Sequence, residues 1–197
     1  MRSYAAIFAV PLLLAGCATA PPAALPSANQ PDPSTDALMA SADPLTSIAA
    51  LLIAAEAAPD ARSRAPIIER LNALWVRPAE EEQDNPLAQW RAAHVPFAAT
   101  PYRGRTLGPA YRRARLEPGQ TMAIAQVFYA GQRAEMRAQS SGSTVALAIS
   151  NPRSEAVCEA RLSPQAKCRW LPLFTERFAI TLENRGDTPA SVYLVFE

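Results

Sequence analysis

Histidine and lysine are almost missing from this sequence, which has one of each, His94 and Lys167, among its 197 residues. A catalytic triad needs a base beside its nucleophile, and His94 is the one imidazole that could serve. The GxSxG, HExxH, CxxC, GxGxxG and P-loop patterns are absent as well. We therefore expect a protein that is not an enzyme and has no catalytic residue, metal site or cofactor. A hydrolase that uses two carboxylates stays open, because the fold sets the spacing of such a pair.

The N-terminus lacks a run long enough to span a membrane. Its apolar run covers only residues 4–14, whereas a helix needs about 20 apolar residues to cross a bilayer. Arg2 before the run and small residues after it give the layout of an export signal, which is removed from the mature chain. We therefore predict a signal peptide over residues 1–16.

The predicted signal ends in the letters LAGC, which resemble the lipobox of the bacterial lipoprotein family. The resemblance implies that the thiol of Cys17 carries lipid and that this residue becomes the first of the mature chain. Several acyl chains at one residue anchor a protein stably to a membrane. Ala18 in the next position is similar to the pattern of outer-membrane lipoproteins that face the periplasm, so we expect that location, with surface exposure left open. The alternative is an ordinary secretory signal with a cysteine at its cleavage site.

The segment after the lipobox, residues 17–43, is rich in alanine and proline and has almost no large apolar side chain. It cannot bury enough surface to offset the entropy of ordering. We therefore predict a disordered tether between the membrane and the folded part of the protein.

Three short helices are predicted within residues 44–95, and a connection over residues 96–109 should follow. Each helix should begin at a proline, which is favoured at the first helical position. In the second helix, apolar residues recur with helical spacing and should form one buried stripe. The predicted starts are Asp43-Pro44, Pro66 and Asn85-Pro86, and the stripe is Ile67, Leu71, Leu74 and Trp75.

The C-terminal part of the chain, residues 110–197, changes to a period of two. Short alternating runs recur about every 8–12 residues between turn residues, which is typical of a β-sandwich or barrel. Eight strands suit a jelly-roll-like sandwich, so the predicted fold class is mainly β. Alternation assigns buried rows such as Ala134, Met136 and Ala138. The strands are predicted at 110–116, 121–129, 132–139, 144–150, 155–161, 167–171, 177–183 and 190–196.

Two stretches of this half, FYAGQRAEMRAQSSGSTVALAI at 128–149 and FAITLENRGDTPASVYLVFE at 178–197, resemble the bacterial pre-peptidase C-terminal domain family. Its members are non-catalytic jelly-roll modules found beside secreted peptidases and in other envelope proteins. The resemblance implies an accessory module for targeting or substrate binding. Some members bind calcium through acidic residues, but the stretch 143–151 has no carboxylate, so we expect no calcium site here.

Two cysteines remain once Cys17 is assigned to lipid, and they form an even pair in an oxidising compartment. A disulfide between Cys158 and Cys168 is expected, because two thiolates make half a zinc site and nine intervening residues are not a redox motif. Both fall on neighbouring predicted strands joined by RLSPQAK. We therefore predict a staple across a hairpin.

Charge is divided unevenly along the chain. Residues 18–101 carry a net charge of −5 and residues 102–197 one of +5. Packing of the two halves on each other would explain this asymmetry without any partner. The alternative is that an arginine-rich stretch contacts an anionic surface. The candidate residues for that contact are Arg103, Arg105, Arg112, Arg113 and Arg115.

Together these features predict a non-catalytic, lipid-anchored protein of the cell envelope. Its β-sandwich would be an interaction module that is presented to a partner protein or an envelope polymer. A glycan- or peptidoglycan-binding module with exposed Trp or Tyr side chains is the alternative, followed by a hydrolase. Nucleic acid is not an expected partner, because an exported protein rarely meets it.

Overall fold

The described part of the chain begins with helices and continues as a β-sandwich. The computed structural model describes residues 43–79, 85–93, 108–142 and 144–197, all of which belong to one compact unit. None of the helices in these ranges is both long and apolar enough to cross a membrane. The helices are α1 (Pro44–Ala57), α2 (Ala61–Ala73) and α3 (Pro86–Ala93). The strands are β1 (Arg77–Pro78), β2 (Ala110–Leu116), β3 (Thr121–Phe128), β4 (Ala134–Ser140), β5 (Val145–Ser150), β6 (Ala156–Leu162), β7 (Gln165–Trp170), β8 (Glu176–Asn184) and β9 (Ala190–Phe196).

Two sheets face each other, in the orders β1-β2-β9-β4-β7 and β3-β8-β5-β6. Strand β1 is parallel to β2, and the other paired strands are antiparallel. The order of β2 to β9 over the two sheets is that of a jelly roll, which confirms the predicted mainly β fold and its eight strands. Strand β1 was not predicted, because its two residues are too few to show any alternation.

Alternation along the strands decides which side chains enter the space between the sheets. The buried rows predicted from the sequence do so, and they form one continuous apolar core. Removing this apolar surface from water is the main stabilising contribution to a sandwich. The predicted rows found in the core are Ala134, Met136 and Ala138; Val145, Leu147 and Ile149; Phe178, Ile180 and Leu182; and Val192, Leu194 and Phe196.

A second apolar core lies on the outer face of the five-stranded sheet, where the helices cover it. Tyr111, Tyr193 and Val195 alternate with the inward residues of β2 and β9 and therefore point to this face. The helical segment is thus packed on the sandwich rather than separate from it. Its contribution to this core includes Leu45, Ile48, Leu51, Leu52, Ile67, Leu71 and Leu87.

The helix starts follow the predictions in α1 and differ in α2. Asp43 caps α1 by accepting from the Leu45 amide at 3.2 Å, and the helix begins at Pro44 as predicted. The prediction that α2 begins at Pro66 is wrong. Asp60 caps the helix earlier, because its Oδ1 accepts from the Ser63 amide at 2.8 Å. Pro66 therefore lies inside α2, where it removes one backbone hydrogen bond.

The end of α2 also differs from the prediction. The helix stops at Ala73, and Trp75 has a left-handed φ of 55°, so it does not continue the stripe of Ile67 and Leu71. Its side chain is 54% exposed instead of buried. The backbone of Gly108 lies so close to Trp75 that any Cβ at residue 108 would collide with the tryptophan carbonyl.

Candidate functional site

The sequence predicted one disulfide, one lipid-bearing cysteine and five arginines as site residues. Cys17, Arg103 and Arg105 lie outside the described residues, and so does the single histidine, His94. The predicted site residues that the structure describes are Cys158, Cys168, Arg112, Arg113 and Arg115.

Cys158 and Cys168 form the predicted disulfide, with their Cα atoms 5.9 Å apart. The hairpin interpretation is wrong, however. Strand β6 is the edge of the four-stranded sheet and β7 is the edge of the five-stranded sheet. Ser163 and Pro164, which connect β6 to β7, carry the chain from one sheet to the other. The disulfide therefore joins the two sheets along one side of the sandwich.

The three described arginines of the proposed anionic-surface contact do not share one exposed face. Arg112 points between the sheets, where its Nη1 donates to the Ala125 carbonyl of β3 at 2.6 Å. Arg113 lies on the opposite face of β2, and its side chain is only 6% exposed. Arg115 alone of the three is largely exposed, at 65% of its side chain. The period of two in a strand alternates the faces, so a run of arginines in β2 cannot form one basic surface.

The carboxylate of Glu56, near the end of α1, fastens the helix to the sheet. The Tyr193 hydroxyl donates to its Oε2 at 2.6 Å, and the Ser191 hydroxyl donates to its Oε1 at 3.0 Å. Arg113 and Arg115 place guanidinium nitrogens 3.6 and 3.2 Å from Oε1. Burial tends to raise the pKa of Glu56, but these donors and cations more than offset it and hold the pKa below its ordinary value.

The opposite end of α1 is fastened by a second carboxylate. Arg137 lies on the helix-covered face of β4 and is only 3% exposed. Its Nε donates to Asp43 Oδ2 at 2.7 Å and to Thr46 Oγ1 at 3.2 Å, while Lys167 Nζ lies 3.6 Å from the same Asp43 oxygen. Burial tends to raise the pKa of Asp43, but Arg137 above all more than offsets this and holds it below its ordinary value. Acidic residues of the N-terminal half thus contact basic residues of the C-terminal half.

One end of the sandwich exposes large apolar side chains. The loops β3–β4 (Tyr129 to Arg133) and β7–β8 (Leu171 to Thr175) lie side by side there, and Leu173 at 76% is the most exposed of their apolar residues. We call the set of exposed large hydrophobic residues the apolar end. It consists of Trp75, Tyr129, Leu171, Leu173 and Phe174, each of them more than half exposed.

Strand register places Trp75 at the same end as the two loops. Ala110, Phe196, Met136 and Cys168 form one row across β2, β9, β4 and β7. The β3–β4 loop precedes β4 and the β7–β8 loop follows β7, so both lie beyond this row on one side. Gly108, two positions before Ala110, lies beyond the row on that side too, and it contacts Trp75.

Hydrogen bonds hold the two loops together. The Gly131 amide donates to the Pro172 carbonyl at 2.9 Å, and the Ala130 amide donates to Thr175 Oγ1 at 3.0 Å. Gly131 has a φ of 70°, a left-handed conformation that glycine adopts without strain. The apolar side chains are therefore presented on an ordered base, although they point to water.

An aromatic cluster lies directly beneath the loops. The ring of Phe128 at the end of β3 contacts Trp170, Phe178 and Phe196 edge-on, with centroids 4.7 to 6.1 Å apart. These rings are at the margin of the sandwich core and have a geometry that stabilises aromatic pairs. These rings pack beneath both loops, so the exposed apolar residues lie above a well-packed part of the core.

The apolar end has few polar groups. Its exposed side chains are apolar apart from the tyrosine hydroxyl and the indole N–H of Trp75, and Arg133 is the one charged residue of the two loops. No cluster of three or more metal-ligating side chains occurs in the part of the chain that the structure describes. An exposed apolar surface of this kind is a feature of sites that bind protein, membrane or ligand.

Sequence reasoning missed this surface, although a signal for it was present. The predicted strands ended at residue 171 and resumed at residue 177, and Tyr129 was placed inside a strand. The turn between those strands therefore contained the letters PLF, whereas turns are usually built from Gly, Asn, Asp, Ser and Pro. Two large apolar residues in a turn between two predicted strands could have indicated the site.

No protein-family model matches the chain, and no curated protein matches it significantly. Among solved structures, a periplasmic inhibitor of g-type lysozyme from Aeromonas hydrophila has 19% identity and a TM-score of 0.35 over 45% of this chain and 86% of its own. A de novo designed double-stranded β-helix has 18% identity and a TM-score of 0.31 over 44% and 97%. The mitogen of Yersinia pseudotuberculosis has 8% identity and a TM-score of 0.35 over 45% and 84%. These similarities are too low to indicate a function.

Proposed function

We propose that this protein is a non-catalytic, lipid-anchored protein of the bacterial cell envelope whose β-sandwich binds another envelope component through the apolar end. Cys17 is the proposed lipid attachment site, in an outer-membrane lipoprotein that faces the periplasm. The resemblance of the sandwich to accessory modules beside secreted peptidases is consistent with a binding role. Partner proteins, envelope polymers and the bilayer itself are the components within reach of a tethered protein.

The observation that carries this proposal is the exposure of Leu173 and Phe174 on ordered loops. A leucine that is 76% exposed beside a phenylalanine that is 58% exposed keeps apolar surface in water. Folding gains nothing from this exposure, because burial is what makes apolar side chains stabilising. An apolar surface that is unfavourable in water and is held in one conformation is expected to bind another molecule when the protein functions.

A photo-crosslinking residue at Leu173 tests the proposal in cells that make the full chain. The matched control is the same residue at Ala123, which is exposed on the edge strand β3 near the other end of the sandwich. We expect a specific crosslinked species from residue 173 and none from residue 123. Equal crosslinking from both residues, or none from either, would contradict the proposal.

The membrane tether has its own test. Cys17→Ser removes the thiol that lipid would modify. In a chain whose apolar end also carries Leu173→Asp and Phe174→Asp, this change should therefore move the protein from the membrane fraction to the soluble one. Cell fractionation with detection of the protein in each fraction measures this. Unchanged membrane association of the variant would rule out the lipid anchor on Cys17.

A glycan- or peptidoglycan-binding module is the second candidate. Trp75 and Tyr129 are both more than half exposed at the apolar end, and aromatic rings of this kind can stack on sugars. Co-sedimentation with purified peptidoglycan tests it, with a Trp75→Ala, Tyr129→Ala variant as comparison. Sedimentation of the parent with peptidoglycan that is lost in this double variant would favour a glycan-binding module over a protein partner.

A further inference from the structure

The geometry points to a bilayer as the component that the apolar end binds: we propose that this end inserts into the interfacial region of the membrane that holds the lipid anchor. The inference rests on the proposed function, since it needs the anchor to keep the sandwich beside a membrane. It adds a second point of membrane contact and sets the orientation of the sandwich on the surface.

The composition of the apolar end fits the interface of a bilayer. Trp and Tyr are enriched at the level of lipid headgroups because they combine an apolar ring with a polar group. Leu and Phe are typical of the apolar faces that enter the boundary between headgroups and acyl chains. The apolar end has each of these four residue types, and all five of its members lie at one end of the sandwich.

Helix α1 begins nearer to the apolar end than it ends. Helix α1 runs from Asp43, which contacts Arg137 of β4, to Glu56, which contacts Ser191 at the start of β9. Ser191 lies near the opposite end of the sandwich, whereas Arg137 is the middle residue of β4, three residues from Ala134, where β4 meets the β3–β4 loop. That separation is roughly 10 Å along a strand. Residues 17–42, which remain after removal of the proposed signal peptide, therefore precede the end of α1 that is nearer to the apolar end.

The order of the two loops favours insertion without an additional entropic cost. Backbone amides of the β3–β4 loop donate to the Pro172 carbonyl and to the Thr175 hydroxyl, so these donors do not lose water when the end enters a headgroup layer. A surface that is already ordered binds more tightly than one that must lose conformational entropy on binding. The exposed side chains can therefore enter the membrane from a fixed backbone.

The charges near the apolar end predict which lipids are needed. Arg133 is the one charged residue in the two loops, and the neighbouring β5–β6 loop holds Arg153 and Glu155, whose side chains pair at 3.3 Å. Glu176 directly follows the β7–β8 loop and Glu197 directly follows β9 at this end, so carboxylates flank the loops, and the described residues there form no cluster of cations. We expect binding to neutral phosphatidylcholine that changes little with added anionic lipid or salt, because apolar insertion is only weakly screened.

Vesicle flotation with the mature chain from residue 17, carrying Cys17→Ser, tests the inference without help from the anchor. The vesicles are phosphatidylcholine alone and phosphatidylcholine with added phosphatidylglycerol. We expect the protein to float with both, and the Leu173→Asp, Phe174→Asp double variant to partition at least about tenfold more weakly, since each lost apolar side chain is worth about that factor. Ala123→Asp adds a carboxylate at an exposed position away from the apolar end and should float like the parent.

The outcomes separate this inference from the proposed function. No flotation of the parent, or equal flotation of the double variant in its folded state, would overturn the insertion of the apolar end into a bilayer. Flotation that requires phosphatidylglycerol and disappears in salt would also overturn it, because arginine contacts would then carry the binding. If residue 173 still crosslinks to a protein or a polymer in cells, the binding role stands and only the bilayer is excluded. Circular dichroism and the mass of the oxidised cysteine pair verify that each variant is folded.

Discussion

The two ends of the sandwich are closed in different ways. At the end opposite the apolar end, Asn184 is fully buried, and its side chain donates to the carbonyls of Thr188 at 2.8 Å and Leu116 at 3.2 Å. The turns there contain small, polar and charged residues, including Gly119 and Gly142 at positive φ. The apolar end is closed by loops that expose Leu173 and Phe174. The same strands can therefore be closed with polar turns alone, and the exposed apolar residues are not a requirement of the fold.

The contrast between the two ends predicts that substitutions at the polar end lower the free energy of unfolding more than substitutions at the apolar end. Asn184→Ala removes the side chain that donates to the carbonyls of Leu116 and Thr188 and accepts from the amide of Gly186. Unpaired buried polar groups cost about 1–3 kcal/mol each, so we expect a loss of roughly 3 kcal/mol in the free energy of unfolding. Thr175→Ala removes one exposed hydrogen bond at the apolar end and should cost less than about 1 kcal/mol. Urea unfolding of both variants measures the difference, and equal losses would contradict it.

The disulfide provides a second test, because it joins the two sheets from within β6 and β7, two residues from the strand ends that lead into the loops beside the apolar end. Replacing Cys158 and Cys168 together by alanine releases a short loop, and the chain-entropy model gives a cost of roughly 2–3 kcal/mol. We expect this loss of stability in urea unfolding and an unchanged partition of the folded variant into vesicles. If the variant keeps its stability but loses vesicle binding, the disulfide determines the conformation of the apolar end and does not stabilise the sandwich.

Low pH should weaken the contacts of Asp43 and Glu56 that hold the two ends of α1 on the sheet. The pKa values of Asp43 and Glu56 are below their ordinary values in the folded protein, so each carboxylate stabilises the fold above the unfolded pKa of about 4. That stability is lost as the pH falls through the lower folded values. Glu56→Gln should cost about 1–2 kcal/mol at pH 7, since it removes the negative charge beside Arg113 and Arg115, and the difference from the parent should shrink toward pH 3. Urea unfolding at the two pH values measures it; a constant difference would contradict the ionic role of Glu56.

The smallest effect on stability is expected at the apolar end itself. The Leu173→Asp, Phe174→Asp variant changes side chains that are mostly in water, so its free energy of unfolding should stay within about 0.5 kcal/mol of the parent. Thermal unfolding followed by circular dichroism measures this. A large loss would show that these residues support the fold and would remove the contrast between the two ends.

Prediction from sequence succeeded where the signal was local and repeated. Strands β2 and β9 begin and end at the predicted residues, 110–116 and 190–196, because alternation and turn residues both mark them. It failed where one local signal outweighed another. Pro66 resembled a helix start, but the Asp60 cap is earlier, and a proline inside a helix can be tolerated when the rest of the helix packs well.

The candidate site was less predictable, because exposure depends on neighbours distant in sequence. Arg137 and Glu135 were both assigned to the outer face of β4, yet α1 buries Arg137 almost completely. Leu171 was assigned to a strand end, and only the packed loops show that it is exposed at 58%. Alternation identifies the face of a strand to which a side chain belongs, but not whether a helix or solvent lies over that face.

The sequence by itself determined the period of each segment, the cap of α1, the buried rows of the sandwich and the presence of an even cysteine pair, because these depend on residues within a few positions of each other. Only the tertiary structure decided that the disulfide joins two sheets, that Asp43 and Glu56 fasten α1 to β4 and β9, and that five apolar side chains gather at one end. Those features depend on the order of strands in the two sheets and on the helical layer. Both are set by the packing of the whole chain and cannot be read from any one segment.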